Sequence, residues 1–384
     1  MMIDEQTTAS PHRDLDQHEL MHWLALCQIP GIGAVTFQRL LKYFHSAKAV
    51  FSATQTELRQ MGLTANSLRA LLKPDWKSVE QQLSWASRPG NSLLASQSPD
   101  YPTLLHEITG LPPILFVQGN VGCLSNPQIA IVGSRKPSAG GKQIALEFAE
   151  SLSQSGLTIT SGLAYGIDSA AHQGALQSAA ATIAVLGSGL SNIYPRRHKA
   201  LASQIRDGGG ALISEHPPNA QPLAAHFPRR NRVISGLSLA TVVIEAGEKS
   251  GSLITARLAL EQGRDVMAVP GAVQNPMAAG CHRLIQEGAA LVTHSDDILA
   301  NLNTYLPPLS QKMPVLAHQT ETKLDASQHK VLYYVDYAPT SIDEIVMKSA
   351  LTTAQVSSIL LALELLGHVS SAPGGMYTRL DSRV

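Results

Sequence analysis

The sequence has no net charge, because its 29 Lys and Arg residues balance its 29 Asp and Glu residues. The charge of the whole chain therefore indicates neither an anionic nor a cationic partner. The sequence also has no uninterrupted apolar run of about 18 residues, the length that a transmembrane helix needs. Its first residues, MMIDEQTTASPHRD, lack the basic and then apolar profile of a signal peptide. We therefore expect a cytoplasmic protein with no membrane partner.

Cysteine is scarce, and its three positions, Cys27, Cys123 and Cys281, are odd in number and far apart. They form neither a CxxC pair nor a Cys/His spacing, so a disulfide framework and a zinc site are both unexpected. We interpret them as ordinary reduced thiols and predict no metal site.

The local motifs of nucleotide-binding enzymes and nucleophilic hydrolases are missing as well. The segment GKQ at 141–143 does not complete a P-loop, and GSG at 187–189 has Asn192 where the dinucleotide fingerprint needs its third glycine. No G-x-S-x-G segment is present, and the cysteines have no evident base. We therefore expect no cofactor and no nucleophilic catalysis.

The length and the 44% hydrophobic content of the chain predict about two to three domains with a buried core. Residues 15–75 show helical spacing of apolar residues around the turn IPGIG at 29–33. This pattern is typical of a small helical domain of the SAM or helix-hairpin-helix kind. A helix-hairpin-helix holds a DNA phosphate through backbone amides, but a packing or interaction domain explains the pattern equally well.

The C-terminal part reads as a linker followed by a winged helix. Residues 305–325 contain three prolines and little periodicity, which indicates a linker. Residues 326–384 show three short amphipathic stretches and then a hairpin pattern around GG at 374–375. The presumed recognition helix, residues 353–366, contains no Lys or Arg. Contact with another protein is therefore the expected use of this domain.

Residues 76–304 carry the strongest pattern, in which short apolar strands alternate with glycine-rich turns and amphipathic helices. Strand-like segments occur first at 93–95 and 114–117, and we then predict strands at 129–133, 157–162, 182–187, 210–215, 240–246, 265–270 and 290–293. Such alternation is typical of an α/β domain with a parallel sheet covered on both faces. Its ligand site is expected at the carboxyl ends of the strands.

Four of these strand ends carry turns rich in small residues, which let the backbone approach a ligand closely. The N–H groups that open the following helix then point at an anion such as phosphate. Glycines also occur in such turns simply because the turns are tight, but four in one sheet favour a binding ledge. The residues concerned are Gly133, Ser134, Arg135, Ser161, Gly162, Gly187, Lys249, Ser250, Gly251 and Ser252.

Two loops of the central segment are strongly basic although the whole chain is neutral. Between residues 190 and 235, seven Lys and Arg residues stand against two Asp and Glu residues, a local excess of five positive charges. Arginine pairs with phosphate, and Tyr194 and Phe227 are placed to stack on bases, as in proteins that bind single-stranded nucleic acid. The alternative is a solvated turn whose arginines pair with helix ends, with both aromatic residues in the core.

Two carboxylates near strand ends have open roles. Asp168 lies four residues before His172 and suits proton transfer, although an aspartate early in a helix more often caps it. Glu245 suits either a contact to a ribose hydroxyl or a salt bridge to the arginine-rich loop.

The central segment contains, in order, the blocks IAIVGSRKPS, TSGLAYGIDSAAHQGAL, TIAVLGSGLSNIYPRRHKAL, GALISEH, HFPRRNRVISGLS and VIEAGEKSGSLITARLALEQGRDVMAVPG. Their order and spacing resemble the DNA-processing protein A (DprA, or Smf) family, continuously from Asp100 to Leu299, while the two end domains match the family's three-part layout less closely. The resemblance implies an extended Rossmann-like domain that binds single-stranded DNA in a positive pocket. It further implies that the protein protects incoming DNA during natural transformation, loads the RecA recombinase, forms a homodimer and catalyses no reaction.

Carried over to this sequence, the resemblance implies that Arg135 contacts a phosphate. It places Arg196 and Lys199 of the Tyr-Pro loop in the pocket, together with the FPRRNR block and a wall formed by residues 249–252. The full set of predicted DNA-binding residues is Gly133, Ser134, Arg135, Ser161, Gly162, Gly187, Arg196, Lys199, Phe227, Arg230, Asn231, Arg232, Lys249, Ser250, Gly251 and Ser252.

Two other functions fit parts of the pattern. The lysine-decarboxylase-like phosphoribohydrolases have a similar Rossmann-type sheet, but their PGGxGTxxE signature is not matched, since the nearest segment is PGAV at 270–273. A sequence-specific transcription factor is disfavoured by the recognition helix without basic residues. Our main prediction is a non-enzymatic, single-stranded DNA-binding recombination mediator, and the alternative is a nucleotide-binding, phosphoribohydrolase-like enzyme.

Overall fold

The computed structural model describes residues 15–302, 324–372 and 374–380. Its N-terminal part is a series of short helices, most of which begin at a Ser, Thr or Asp that accepts a hydrogen bond from an N–H of the first turn. These helices are α1 (Gln17–Cys27), α2 (Ala34–Phe44), α3 (Ala47–Ser52), α4 (Gln55–Gln60), α5 (Ala65–Leu72) and α6 (Trp76–Ala86). The IPGIG turn joins α1 to α2, as the helical spacing predicted.

Helix α6 lies beyond residue 75, where the sequence pattern suggested that the helical domain ends. A proline precedes it, but Asp75 caps a new helix directly afterwards. Trp76 packs edge-on against His22 of α1, with ring centroids 5.4 Å apart. At the other end of α6, Trp85 contacts Phe116 with ring centroids 5.9 Å apart. Helix α6 therefore packs with the helical domain and connects it to the sheet that follows.

The central segment alternates strands and helices, as predicted. Its elements are β1 (Asn91–Ala95), β2 (Ile114–Gly119), β3 (Gln128–Gly133), α7 (Ala139–Gln154), β4 (Thr158–Ser161), α8 (Ile167–Gln177), β5 (Thr182–Val185), α9 (Lys199–Asp207), β6 (Ala211–Ser214), α10 (His226–Leu237), β7 (Ala240–Ile244), α11 (Gly251–Glu261), β8 (Asp265–Ala268), α12 (Ala279–Gln286), β9 (Ala290–Leu291) and α13 (Ser295–Leu302).

These strands form one sheet in the order β1-β2-β6-β5-β4-β3-β7-β8-β9. From β6 to β9 all neighbours are parallel, which confirms the predicted sheet, and β1 and β2 extend its edge as an antiparallel pair. The chain runs outward from β3 through β4, β5 and β6, and then crosses to β7 on the other side of β3. The direction of winding thus reverses between β3 and β7, which is where open α/β sheets bind their ligands.

Both faces of the sheet are covered, as the nearly continuous apolar strands require. Within β3, Ile129 and Ile131 contribute to the core that includes residues of α7 and α8. The alternate residues Ala130 and Val132 contribute to the core on the opposite face, with residues of α10 and α11. Because helices cover both faces, loops at the strand ends are the open part of the domain.

The predicted winged helix is confirmed in the described part of the C-terminal domain. Its elements are α14 (Ala326–Tyr334), β10 (Thr340–Ser341), α15 (Ile342–Ser349), α16 (Thr353–Leu365), β11 (Val369–Ala372) and β12 (Met376–Arg379). The strands pair in the order β10-β12-β11, so the wing is a small antiparallel sheet. The linker predicted at 305–325 lies outside the described residues up to 323.

Over the residues that the structure describes, no individual helix is long and apolar enough to cross a membrane, and only the sharply bent pair α15 and α16 would together reach that length and composition.

Candidate nucleic-acid interface

A cavity of about 1240 Å³ opens at the carboxyl edge of the sheet, where the winding reverses between β3 and β7. The loops after β3 and β7 form two of its walls, and α10 forms a third. Residues that follow β4, β5 and β6, together with residues 276, 277 and 279 after β8, complete it. The cavity therefore lies at the edge that the strand pattern predicted for a ligand.

The loop after β3 carries Gly133, Ser134 and Arg135 to the cavity, as expected. A side chain at Gly133 would overlap the carbonyl oxygen of Ile244 in the neighbouring strand, so only glycine fits there. The Ser134 N–H donates to the carbonyl oxygen of Glu245 at 2.6 Å, and the side chain of Arg135 is exposed at the opening. Backbone contacts between β3 and β7 thus hold the loop that presents this arginine.

Glu245 does not form the suggested salt bridge to the arginine-rich loop, where Arg229 and Arg232 pair with Glu215 instead. Its carboxylate accepts hydrogen bonds from the Ser138 N–H at 2.7 Å and from the Ser138 hydroxyl at 2.5 Å. Ser138 in turn caps α7 by accepting a hydrogen bond from the Gly141 N–H. The backbone of Glu245 is left-handed, with φ of 49°. Glu245 therefore secures the far end of the β3–α7 loop by side chain and backbone together.

Helix α10 presents Phe227, Arg230 and Asn231 to the cavity, since residues three and four apart share one face of a helix. The Phe227 ring lies 5.5 Å from the ring of Tyr194, which comes from the loop after β5. Tyr194 was expected to stack on bases or to lie in the core, and it is exposed on the cavity wall. Two aromatic rings therefore adjoin the basic residues of the cavity.

Arg230 is only 4% exposed although it lines the cavity. Its Nη1 donates to the carbonyl oxygens of Gly162, at 2.7 Å, and Val185, while Nε is buried without a partner in the described structure. Burial lowers the pKa of the guanidinium to about 10, an effect that the carboxylate of Asp168 opposes. Arg230 therefore remains charged at neutral pH and gives the cavity floor a positive charge.

Asp168 holds the turn after β4 rather than capping its own helix. Its carboxylate accepts hydrogen bonds from the Gly162 N–H at 3.1 Å and the Ala164 N–H at 3.3 Å. Burial raises the pKa of Asp168, and the charge of Arg230 counteracts part of that rise. The nearby His172 hydrogen bonds to the Thr182 hydroxyl at 2.8 Å. Asp168 and His172 thus have separate structural partners, and proton transfer between them is not what this geometry supports.

Helix α11 directs its first turn at the cavity. Ser250 caps the helix and accepts a hydrogen bond from the Ser252 N–H at 3.3 Å, and no atom lies near the position where a side chain at Gly251 would be. The exposed Lys249 precedes this turn. A helix start next to a lysine is suited to binding an anion, because the positive end of the helix dipole lies there.

Several predicted residues lie elsewhere. Arg232 points away from the cavity and forms a buried ion pair with Glu215. The Ser161 hydroxyl donates to the carbonyl oxygen of Ile131 at 2.6 Å inside the sheet, and Gly187 packs beneath Phe227. These residues lie behind the cavity wall and do not line the cavity.

Arg196 and Lys199 also lie outside the cavity lining, on the short turn that leads into α9. Both side chains are exposed. The turn is tied to the loop after β4, because Nδ1 of His198 donates to the carbonyl oxygen of Leu163 at 2.8 Å. The two residues therefore form a second basic group near the cavity, separate from its walls.

Sequence reasoning did not include Lys136, Glu248 or Met277 among the lining residues. Lys136 directly follows Arg135, so the prediction that Arg135 binds DNA could have pointed to Lys136 as well. Met277 contacts the Ser134 hydroxyl at 3.6 Å across 143 positions of sequence, and nothing local in the sequence indicates that contact. Of the charged residues that line the cavity, four are basic and two are acidic, namely Arg135, Lys136, Arg230 and Lys249 against Asp168 and Glu248.

Three family models match the chain. Residues 92–303 match the model described as DNA recombination-mediator protein A, residues 316–375 match the DprA winged helix domain, and residues 16–84 match the SMF/DprA SAM domain. The last match extends past residue 75 and includes most of α6, in agreement with the packing of that helix.

Curated relatives and solved structures agree with these models. The chain is 41% identical to Protein Smf of Escherichia coli strain K12 over 361 residues, 93% of this chain and 95% of that protein. It is 48% identical to DNA processing protein DprA of Streptococcus pneumoniae over 200 residues, 52% of this chain and 70% of that protein.

The X-ray structure of DprA from Streptococcus pneumoniae aligns with a TM-score of 0.64 and 36% identity, and covers 73% of this chain and 97% of that one. A structure of DNA processing protein A from Helicobacter pylori, described for its single-stranded DNA binding mode, aligns with a TM-score of 0.51 and 27% identity over 56% of this chain and 96% of that one. The extent of these matches, from the helical head to the winged helix, shows that the chain belongs to the DNA recombination-mediator protein A family, whose members are named DprA or Smf.

Proposed function

We propose that this chain binds single-stranded DNA in the cavity between β3 and β7 and acts in the cytoplasm as a non-enzymatic recombination mediator. It would protect incoming DNA during natural transformation and load RecA onto it. The observation that carries the proposal is the combination of four basic side chains, two aromatic rings and the start of α11 around one cavity. This combination suits a sugar-phosphate chain with unpaired bases.

The cavity offers separate places for phosphate and base. The exposed Arg135 and the positive dipole end at the start of α11, next to Lys249, are suited to phosphate oxygens. Phe227 and Tyr194 offer ring faces to bases that are not held in a duplex. A duplex keeps its bases stacked inside, so we expect it to bind much more weakly than a single strand.

The proposed contact residues follow from placement. Gly133, Ser134, Arg135, Phe227, Asn231, Lys249 and the residues 250–252 line the cavity and would contact DNA. Arg230 would contribute its charge from the floor. We assign Ser161, Gly162, Gly187 and Arg232 to positioning, because each is used in internal packing or pairing.

The test is a fluorescence anisotropy titration of single-stranded and duplex oligonucleotides over a range of salt concentrations. We expect preference for the single strand, and the combined change Arg135→Ala and Lys249→Ala should weaken binding and reduce the log-log salt slope by about 0.7 per lost phosphate contact. Arg206→Ala is the matched control, since Arg206 pairs with Asp207 at the end of α9. Equal binding of both DNA forms, or no effect of the double change, would contradict the proposal.

The roles in RecA loading, in catalysis and in assembly need separate measurements. We expect the protein to accelerate RecA assembly on single-stranded DNA, to release no base from nucleoside monophosphates, and to have the mass of a homodimer in light scattering. Sustained release of base would favour the phosphoribohydrolase-like alternative instead.

A further inference from the structure

The turn after β4 lies between the two groups of basic residues at the carboxyl edge of the sheet. In the sheet order, β4 is flanked by β3 on one side and β5 on the other. The loop after β3 carries Arg135 and Lys136, and the turn that leads from β5 into the first residue of α9 carries Arg196 and Lys199. All four side chains are exposed. A strand of DNA that contacts both groups has to pass the turn after β4.

Tyr165 is the aromatic residue of this turn. It follows Ala164, which lines the cavity, but it lies outside the cavity lining itself. Its side chain is 42% exposed. The ring stands edge-on to the ring of His198, with centroids 4.9 Å apart and planes at 72°. An edge-on neighbour supports the ring while leaving much of its surface open to solvent.

The turn that carries Tyr165 is held firmly on both sides. The Ile167 N–H donates to the carbonyl oxygen of Ser134 at 3.1 Å, which joins the turn to the loop after β3. His198 donates to the carbonyl oxygen of Leu163 at 2.8 Å, which joins it to the basic turn before α9. Tyr165 is therefore fixed relative to both basic groups, as a stacking surface needs to be.

We infer that Tyr165, which lies beside the cavity, is the base-stacking platform of a second single-stranded DNA subsite that adjoins the cavity, in which Arg135 and Lys136 at the cavity opening hold phosphates on one side and Arg196 and Lys199 hold them on the other. The inference rests on the proposed function, which concerns the cavity alone. It also keeps the DNA-binding role predicted for Arg196 and Lys199, which are exposed and lie outside the cavity lining.

The experiment compares oligothymidylates of about 4 and about 16 nucleotides, the range of site sizes known for single-strand binding domains. We expect the short one to be held within the cavity and the long one to reach Tyr165 as well. We expect Tyr165→Ala to weaken binding of the long oligonucleotide about fivefold or more, the effect of losing one stacked base, and to leave the short one unchanged. The salt slope should not change, because no phosphate contact is lost.

Two variants serve as controls. Tyr165→Phe keeps the ring and should bind the long oligonucleotide as the parent does. Tyr333→Ala removes another exposed tyrosine, on α14 of the winged helix, and should have no effect. If Tyr165→Ala binds the long oligonucleotide like the parent, or if Tyr165→Phe is as weak as Tyr165→Ala, the subsite does not exist. Failure of the proposed function is distinguishable, because the parent protein would then bind neither oligonucleotide.

Discussion

At the scale of single residues, two arginines of α10 that are two positions apart have different roles. Arg230 faces the cavity and is held by carbonyl oxygens of the turns beneath it, whereas Arg232 faces away and pairs with Glu215. Gly162 makes the first arrangement possible, because a side chain there would overlap the guanidinium of Arg230. The absence of a side chain at Gly162 therefore determines where the charge of Arg230 lies.

Gly162→Ala tests this dependence. The added methyl group should displace the guanidinium and lower the free energy of unfolding by about 1–3 kcal/mol, as expected for overpacking, and it should also weaken single-stranded DNA binding. Gly140→Ala is the matched control, since its new methyl group would lie 3.8 Å from the nearest atom and should leave both quantities nearly unchanged or raise stability slightly. Urea unfolding and anisotropy measure the two effects; a Gly162→Ala protein equal to the control would refute the assignment.

His172 predicts a pH dependence of stability. Burial lowers its pKa from 6.5 to about 3 in the folded chain, so between these values the unfolded chain binds a proton that the folded chain does not. The contribution to stability is complete above pH 6.5 and is lost as the pH falls, at about 1.4 kcal/mol per pH unit. From pH 6.5 to pH 5, His172→Gln should therefore lose about 2 kcal/mol less than the parent in urea unfolding. Equal losses would show that His172 is not the cause.

At the scale of elements, the loop between β3 and α7 is the part of the site that long-range contacts control. Its first residue after the strand, Ser134, is bonded to the backbone of Glu245, and its last, Ser138, is bonded to the carboxylate of the same residue. Arg135 and Lys136 lie between these two attachments. The position of both basic side chains thus depends on one residue at the end of β7.

Ser138→Ala removes one attachment and the cap of α7 together. We expect the free energy of unfolding to fall by about 1 kcal/mol, the usual cost of a lost N-cap, and single-stranded DNA binding to weaken because the loop is less well held. Thr54→Ala removes a capping residue of similar kind from α4, in the helical domain, and should lower stability without changing DNA affinity. Equal DNA affinities of the Ser138→Ala and Thr54→Ala variants would show that DNA binding does not depend on how this loop is held.

At the scale of the whole molecule, the chain combines parts with different hydrophobic cores. The helical domain shares its core with one side of the sheet, whereas the core of the winged helix consists of residues between 324 and 377 alone. Overall neutrality is an average over these parts, and the positive charge is concentrated at one edge of the sheet. DNA binding should therefore depend on that edge and not on the net charge.

Removal of the winged helix tests this division. A chain ending at residue 304 keeps every residue of the cavity and of the proposed second subsite. We expect its affinity for single-stranded DNA to stay within about twofold of that of the full chain, with an unchanged salt slope, because no phosphate contact is lost. A large loss of affinity in the anisotropy titration would instead assign a DNA contact to the winged helix, against the expectation from its recognition helix without basic residues.

What the sequence alone determined are the features written in local patterns. Apolar strands, caps and glycine-rich turns predict which elements form and at which edge of a parallel sheet a ligand binds, because these depend on residues close together in the chain. The predicted helical head, sheet and winged helix are all present, although the cap at Asp75 carries the helical part on to α6.

Only the tertiary structure decided which side chains meet at that edge. Arg230 and Arg232 are indistinguishable in the sequence, and their separation follows from the direction in which α10 packs on the sheet. The bond from Ser138 to Glu245 joins residues 107 positions apart, and the bond from Ser134 to Met277 joins residues 143 apart. Such contacts depend on strand order and helix rotation. These are set by packing of the whole domain and cannot be inferred from the local sequence pattern.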